Sequence, residues 1–348
     1  MQKILVGMSG GVDSSAAAVL LQQAGFECVG GTMKLYAAEG KCGSADDALD
    51  ARAVAERLGM EHYVFDASQD FEKNVIQPFI SVYEQGGTPN PCIDCNRTMK
   101  FGSMYQMALE LGCDRIATGH YARIQQRSDG RWLLKKGLDE NKDQSYFLYV
   151  MTQEMLSHTI FPVGELSKEQ VRVLAEEHGL INARKRDSQD ICFVPDGDYE
   201  SFIRRYTGKE YPAGDFVDEN GRVLGQHRGM IGYTVGQRRG LGVSAKTPLY
   251  VCRKCIENNT VLLTENDALF SSELYANNIN LIAIEHLLMP LRCKARIRYR
   301  HREQPAIVSQ VGEDMLKVVF DEPQRAITAG QAVVLYDGDT VIGGGTIL

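Results

Sequence analysis

KILVGMSGGVDSSA, residues 3 to 16, runs a short apolar strand into a turn rich in glycine and serine and leaves it as a helix. Gly10 and Gly11 can take backbone angles closed to other residues. Consecutive N–H groups can therefore converge on an anion at the positive end of the helix that begins near Asp13. Ser9, Ser14 and Ser15 add hydroxyl donors. The turn lacks the Gly-Lys-Ser/Thr ending of a Walker loop, whose lysine reaches the terminal phosphates, so a transferred γ-phosphate is not the expected target. It suits a pyrophosphate held as it leaves, with Asp13 acting through Mg²⁺ because a bare carboxylate repels phosphate. The plain alternative is a strand-to-helix turn with no ligand.

Composition bounds the rest. The chain has 348 residues, 44% hydrophobic and 24% charged, enough to bury a full core and to divide into two or three domains. No apolar run approaches the roughly 20 residues of a membrane span, and the N-terminus shows no signal-peptide pattern, so a cytoplasmic protein without membrane contact is expected. Nine cysteines is an odd number and sparse for a disulfide framework, which predicts reduced thiols unless chemistry uses them. A net charge of −7 argues against bulk affinity for nucleic acid, so such binding must rest on local patches.

From the loop outward, strand and helix patterns alternate over the first 120 residues. A strand at 3–8, a helix at 13–24 closed by Gly25, a strand at 27–34, a helix over DDALDARAVAERLG and the strand HYVFD follow in order. Helices are predicted at 68–83 and 98–111, then the strand RIAT and the turn Gly119-His120. This is an α/β pattern, a parallel sheet wrapped by helices, with ligands expected at the carboxyl ends of its strands. Ser9, Met33 and Gly119 fall at such ends; Met33 can pack on an adenine and Gly119 can let backbone approach a nucleotide, although each is also ordinary core or turn. Beyond residue 200 the texture changes to short β patterns broken by glycine, which predicts a small connector and then a C-terminal β-barrel. Boundaries are placed at 1–200, 201–273 and 274–348.

In LRCKARIRYRHRE, Arg292, Lys294, Arg296, Arg298, Arg300 and Arg302 fall on every second residue. One extended strand would put all of them on one face over about 33 Å, a track for phosphates, whereas a solvated face paired with carboxylates is the bland reading. The clusters Arg184-Lys185-Arg186, Arg204-Arg205 and Arg238-Arg239 read as ordinary surface.

Cys92 and Cys95 lie in PNPCIDCNR, read as a proline-rich loop that resists helix formation, and Cys192 lies in DSQDICFVPDGD, another loop. A single C-x-x-C is a redox pair, half a metal site or coincidence. Cys252 and Cys255 share the spacing in a β-rich stretch and read as structural, Cys28, Cys113 and Cys293 as buried hydrophobes, and Cys42 as a loop thiol.

These motifs together resemble a known family along essentially the whole chain: the bacterial tRNA-specific 2-thiouridylases, the MnmA family. The shared segments are GMSGGVDSS (7–15), the CGSADDALDARAVAERLG helix, NPC-x-x-CN (90–96), KF (100–101), ATGHYAR (117–123) and GLDENKDQSYFL (137–148). FPVGEL, the ICF around Cys192, YTVGQRRGLG, RYRH (298–301) and AGQAVVLYDGD continue the series. The resemblance implies a PP-loop (adenine nucleotide α-hydrolase-like) domain in which residues 7–14, Met33 and Gly119 hold ATP. The wobble uridine of tRNA is adenylated at O2 with loss of pyrophosphate. The cysteine matching Cys192 carries sulfur as a persulfide that attacks C2 and expels AMP, and the cysteine matching Cys95 then attacks, leaving 2-thiouridine and a disulfide. Asn90, Pro91 and Cys92 are implied to meet the target base, and His120, Lys142, Asp143, Gln144, Arg298, Tyr299 and Gln331 to meet tRNA. A sulfur-donor protein, a cysteine desulfurase or a sulfur-relay carrier, is the implied partner.

One departure bears on mechanism. Many members have Asp where this chain has Cys92, and three thiols from two loops can ligate a [4Fe–4S] cluster with one open iron that delivers sulfide in place of a persulfide. A structural zinc on Cys92, Cys95 and Cys192 is a further reading. Outside this chemistry stand an amide- or guanidine-forming ligase with the same loop, which needs no thiol pair, and a non-catalytic nucleotide-dependent RNA-binding protein.

Overall fold

The computed structural model describes residues 2–36, 45–185 and 191–348. Cys42 and Arg186 lie outside the described residues.

Strand β1 (Lys3–Gly7) carries Ile4, Leu5 and Val6, each with no exposed surface, which is the near-continuous apolar run of a strand covered on both faces. Helix α1 (Val12–Gln23) leaves the turn with Gly11 at its N-cap and ends before Gly25, whose φ of 84° reverses the chain. β2 (Glu27–Lys34), α2 (Ala45–Arg57) and β3 (His62–Asp66) follow as the sequence pattern predicts. β4 (Arg115–Ala117) pairs with the other side of β1, and β7 (Thr159–Ile160) completes a parallel sheet ordered β3-β2-β1-β4-β7. The chain order therefore reverses between β1 and β4, and the crevice outside their carboxyl ends is where such a sheet holds ligands.

Both long helices of this half differ from expectation. The 68–83 segment is α3 (Ser68–Phe71), a π-helical turn Glu72–Ile76 and α4 (Gln77–Glu84). The helix predicted from residue 98 starts earlier, as α5 (Pro91–Asp94), and continues through a π-helical stretch Cys95–Ser103 into α6 (Met104–Glu110). Pro91 occupies the first helical position, where a missing N–H costs nothing, so the proline that argued for a loop opens a helix. Both thiols of the C-x-x-C thus sit on a helical turn, three residues apart on one side.

Between the sheet strands lie a hairpin of β5 (Ala122–Gln126) and β6 (Trp132–Lys136), then α7 (Ser145–Leu148) and α8 (Gln153–Ser157); α9 (Lys168–Glu177) and α10 (Tyr199–Thr207) close this half. The connector is a four-stranded sheet ordered β10-β11-β8-β9, made of β8 (Gly214–Val217), β9 (Val223–His227), β10 (Tyr250–Cys255) and β11 (Thr260–Thr264). The C-terminal strands are β12 (Phe270–Leu281), β13 (Leu291–Arg296), β14 (Gln304–Gly312), β15 (Met315–Arg325), β16 (Ala332–Asp337) and β17 (Thr340–Ile347). They close into a barrel because β12 pairs with both β15 and β17. The β5–β6 hairpin adds to this sheet through Thr340 and Lys135. One apolar cluster runs from Leu5 and Ile116 through Tyr146 and Tyr149 to Val334 and Val341, so the first sheet and the barrel share a core.

The row of alternating cations is not one strand face. β13 ends at Arg296 and the chain turns over residues 297–301. Arg292 and Lys294 point outward, with Arg292 paired to Asp321, while the half-buried Arg296 donates to the Tyr299 carbonyl. Alternation assigns one face only while a strand lasts, and here it lasts for half the row. Arg298 turns inward: its Nη2 donates to the Ala326 carbonyl at 2.8 Å, Thr328 Oγ1 at 2.6 Å and the Val235 carbonyl at 3.3 Å, joining connector to barrel. Arg298→Met should lower stability by about 2–3 kcal/mol, because charged hydrogen bonds are lost and acceptors stay buried. A thermal midpoint unchanged from the parent would contradict this linkage.

Candidate active site

The turn after β1 is built by contacts that hold its backbone open on one side. Asn182 Nδ2 donates to the Gly10 carbonyl at 3.1 Å and to Ser15 Oγ at 2.8 Å. Ser14 Oγ accepts from the Ser9 N–H at 3.2 Å and donates to the Gly11 carbonyl at 3.0 Å. Gly10 has φ 71°, and a Cβ there would lie 2.5 Å from the Asp47 carbonyl oxygen, so glycine is required for both conformation and space. Gly7 closes the β1–β2 register against Gly31, Met8 and Val12 are buried, and Ser9 is exposed. The first N–H groups of α1, which have no intrahelical partner, lie at this turn.

Asp13 accepts from Tyr121 Oη at 2.7 Å and pairs with Lys168 Nζ at 2.7 and 2.8 Å. The sequence reading missed Lys168, Tyr121 and Asn182. Lys168 is the first residue of α9, whose start is marked by the capping box Ser167/Gln170 within FPVGELSKEQ; its position 155 residues from Asp13 left no local pattern to link the two. It brings a cation to the first turn of α1. Gly119 follows β4 and presses on the same loop: a Cβ there would lie 2.6 Å from Asp13 C and Ser14 N.

Cys92 is exposed and Cys95 is 7% exposed. Cys95 belongs to an apolar cluster with Phe71, Phe79, Phe193 and Phe202, and Cys192 and Met33 pack against that same cluster. Phe193, next to Cys192, meets the rings of Phe71, Phe79 and Phe202 with centroids 5.7, 5.1 and 5.2 Å away, which anchors the Cys192 segment. The two thiols, 97 positions apart (192 − 95), therefore border one core patch at the carboxyl end of β2. A cleft of about 320 Å³ beside them is lined by Tyr36, Phe193, Phe202, Arg205 and Tyr206. Among the described residues no group of three His, Cys, Asp or Glu side chains is arranged to hold a metal ion. Burial pushes the thiols of Cys28 up to about 11 and Cys293 up to about 12, and raises Cys113, as buried hydrophobes should behave; Cys252 and Cys255 lie on β10.

Most residues implied to meet RNA are engaged inside the protein. His120 is 7% exposed, packs between Phe101 and Phe161, and bonds Thr118 Oγ1 through Nδ1 at 2.7 Å. Burial, then the nearby Lys100, holds its imidazole neutral well below the usual range. Asp143 is buried and accepts from the Gly137 and Ser145 N–H groups, stapling its own loop. Gln144 Oε1 accepts from the Tyr121 N–H at 3.0 Å, fixing the turn that carries Tyr121 to Asp13. The half-buried Tyr299 packs its ring against Phe147 at a tilt of 40°, and Gln331 Nε2 donates to the Thr88 and Pro89 carbonyls beside Asn90. Lys142 is half-buried. The structure thus gathers Asp13, Gly119, Tyr121 and Gln144 at the crevice, and Met33, Cys95 and Cys192 on one patch, while Arg298 sits at the connector–barrel joint.

A parallel sheet reversing at β1, with a glycine-serine turn opening a helix at the switch, has the architecture of a HUP domain carrying two accessory β-domains. The family model described as "tRNA methyl transferase HUP domain" matches residues 2–196, "tRNA methyl transferase PRC-barrel domain" residues 200–265, and "Aminomethyltransferase beta-barrel domain" residues 271–347. The chain is 48% identical over 353 residues to the "tRNA-specific 2-thiouridylase MnmA" of Clostridioides difficile (strain 630), covering 99% of this chain and 98% of the relative. It is 50% identical over 355 residues to the protein of that name from Acetivibrio thermocellus, covering 99% of each. A solved "4-thiouridine synthetase - RNA complex with bound ATP" shows only a weak likeness, with TM-score 0.37, 14% identity and coverage of 60% of this chain and 50% of that one. The chain belongs to the family of the tRNA-specific 2-thiouridylases called MnmA.

Two outcomes follow from this geometry. Gly119→Ala forces the β4 turn off the Asp13–Ser14 backbone and should weaken ATP binding at least about tenfold, measured by calorimetry. Burial pushes the Asp94 carboxyl, between the two cysteines, up to about 6 against the pull of Arg97. With the folded value above the unfolded one, the native state holds the extra proton between about pH 4 and 6, and ionised Asp94 costs stability above that window. Asp94→Asn should stabilise the protein at pH 7.5 by about 1–2 kcal/mol, a figure discounted for partial exposure, and the gain should vanish toward pH 4 in thermal melts.

Proposed function

We propose that this protein replaces O2 of the wobble uridine of tRNA with sulfur at the expense of ATP. The uridine O2 attacks the α-phosphorus of ATP held by residues 7–14, and pyrophosphate leaves toward the N-terminus of α1, where a bound Mg²⁺ would offset its charge. The turn's N–H groups and hydroxyls donate hydrogen bonds to that anion, while Lys168 offsets the charge of Asp13 and Tyr121 donates a hydrogen bond to it, so that its carboxylate repels the anion less. A donor protein supplies sulfane sulfur to Cys192. The terminal sulfur of the Cys192 persulfide attacks C2, and AMP departs with the former O2. The Cys95 thiolate then attacks the Cys192 sulfur; the S–S bond to the base breaks, its electron pair stays on the 2-thiouridine sulfur, and a Cys95–Cys192 disulfide remains for an external dithiol to reduce. Residues 1–200 carry this chemistry, 201–273 connect, and 274–348 seat the RNA, with Asn90 to Cys92 beside the target base, in the cytoplasm. Among the described residues no helix is long and apolar enough to cross a membrane.

The observation that supports the reading most is the meeting of Cys95 and Cys192 on one apolar cluster beside Met33, in a chain about half identical to proteins named for this reaction. Methyl transfer, which the family-model wording suggests, needs neither a pyrophosphate-holding turn nor two convergent thiols.

Unmodified tRNA incubated with the protein, ATP, Mg²⁺ and a persulfide source should gain sulfur at the wobble uridine by nucleoside mass analysis. Cys192→Ala should abolish that gain while tRNA-stimulated release of AMP and pyrophosphate persists. Sulfur gained with the Cys192→Ala variant would remove Cys192 from the reaction, cleavage of ATP to AMP and pyrophosphate by the wild type with no sulfur gained would favour an amide-forming ligase, and a methyl increment instead of sulfur would establish methyl transfer.

A further inference from the structure

The short segment between α4 and α5 is gripped from both accessory domains. Gly86, with φ 82°, reverses the chain after α4, and the Gly87 N–H returns to the Val82 carbonyl at 2.8 Å. The next three carbonyls each receive a side chain from elsewhere. Lys254 Nζ, from connector strand β10, donates to the Gly87 carbonyl at 3.3 Å. Gln331 Nε2, from the loop entering barrel strand β16, donates to the Thr88 carbonyl at 2.8 Å and the Pro89 carbonyl at 3.1 Å. The Thr88 N–H donates to the Ala329 carbonyl at 2.8 Å.

Both donors are themselves held. Lys254 makes a second bond to the Tyr233 carbonyl at 2.8 Å and lies over the Tyr83 ring. Gln331 exchanges backbone hydrogen bonds with Thr328 and Ile347. The backbones touch directly, since a Cβ on Gly330 would lie 3.1 Å from the Thr88 carbonyl oxygen and one on Gly87 would lie 3.1 Å from that of Ala329. Downstream, Pro89 and Pro91 have restricted φ, and Asn96 Nδ2 donates to the Phe147 carbonyl at 3.0 Å. The position of residues 87–89 is therefore carried with little slack to the helical turn bearing Cys92 and Cys95.

We propose that Lys254 and Gln331 are positioning residues through which the connector and the barrel set the placement of the Cys92–Cys95 turn. A reacting sulfur displaced by about 1 Å loses about two orders of magnitude in rate, so a shift of either accessory domain against the segment changes thiol chemistry without touching it. The catalytic part of this inference rests on the thiolation reading; the anchoring part does not.

The test is native-state alkylation by iodoacetamide, mapped by peptide mass, on the full chain without ATP or tRNA. In Lys254→Met and, separately, Gln331→Met, the rate at buried Cys95 should rise about tenfold as the turn loosens, with buried Cys28, Cys113 and Cys293 unchanged. For Lys254→Met, kcat for thiolation should fall at least about tenfold with KM for tRNA within about threefold. No rise at Cys95, or an equal rise at all four buried cysteines, overturns the anchor. If wild type fails to thiolate tRNA but Cys95 alone loosens, the functional reading falls and the anchor stands.

Discussion

The pairing of β1 with β2 on one side and β4 on the other is the constraint on which the rest of this structure depends. It creates the only crevice a parallel sheet of this order offers, and it brings the turn after β4 against the turn after β1 closely enough that no side chain fits at Gly119. Into the same place α9 delivers Lys168, so the carboxylate of Asp13 is paired with a cation and hydrogen-bonded by a phenol, both from distant segments.

The accessory domains are coupled to that crevice through polar anchors as well as apolar packing. Arg298 spans connector and barrel, Tyr146 Oη donates to the Ala332 carbonyl, and Asn280 holds the carbonyls of Tyr149 and Met151. These groups are buried or partly buried, so each bond lost leaves an acceptor without water to replace its partner. Lys254 shows the cost of such an arrangement: burial pushes its ammonium down to about 8, which means the protein spends solvation energy to keep a donor at the connector's edge. An enzyme whose substrate spans several domains gains from rigid joints, because the reacting groups must meet within a few tenths of an ångström.

Local pattern made much of this legible. The apolar run at 4–6, the glycine-serine turn and Gly25 placed β1, the anion loop and α1 where they are, because strand, turn and cap chemistry act over a few residues. Cys28, Cys113 and Cys293 read as core and are core. The failures are also physical. Pro91 argued for a loop only because its place at the start of a helix was not visible. Alternating cations at 292–302 promised one face, but β13 stops at Arg296 and Arg298, beyond it, turns inward to the Ala326 carbonyl and the Thr328 hydroxyl. His120 bonds Thr118 and packs between Phe101 and Phe161, and Asp143 closes its own loop on Gly137 and Ser145, burials that no periodicity predicts.

By itself the sequence determined the α/β order of the first half, the β character of the second and the glycine-serine turn between β1 and α1, since each follows from neighbouring residues. Only the tertiary structure decided that Cys95 and Cys192 share one patch, that Lys168 pairs with Asp13 at that turn, and that Lys254 and Gln331 hold the segment before Cys92. Those relations join residues tens to hundreds of positions apart, and chain closure over such distances is set by the global packing of sheets and barrels, to which a local window is blind.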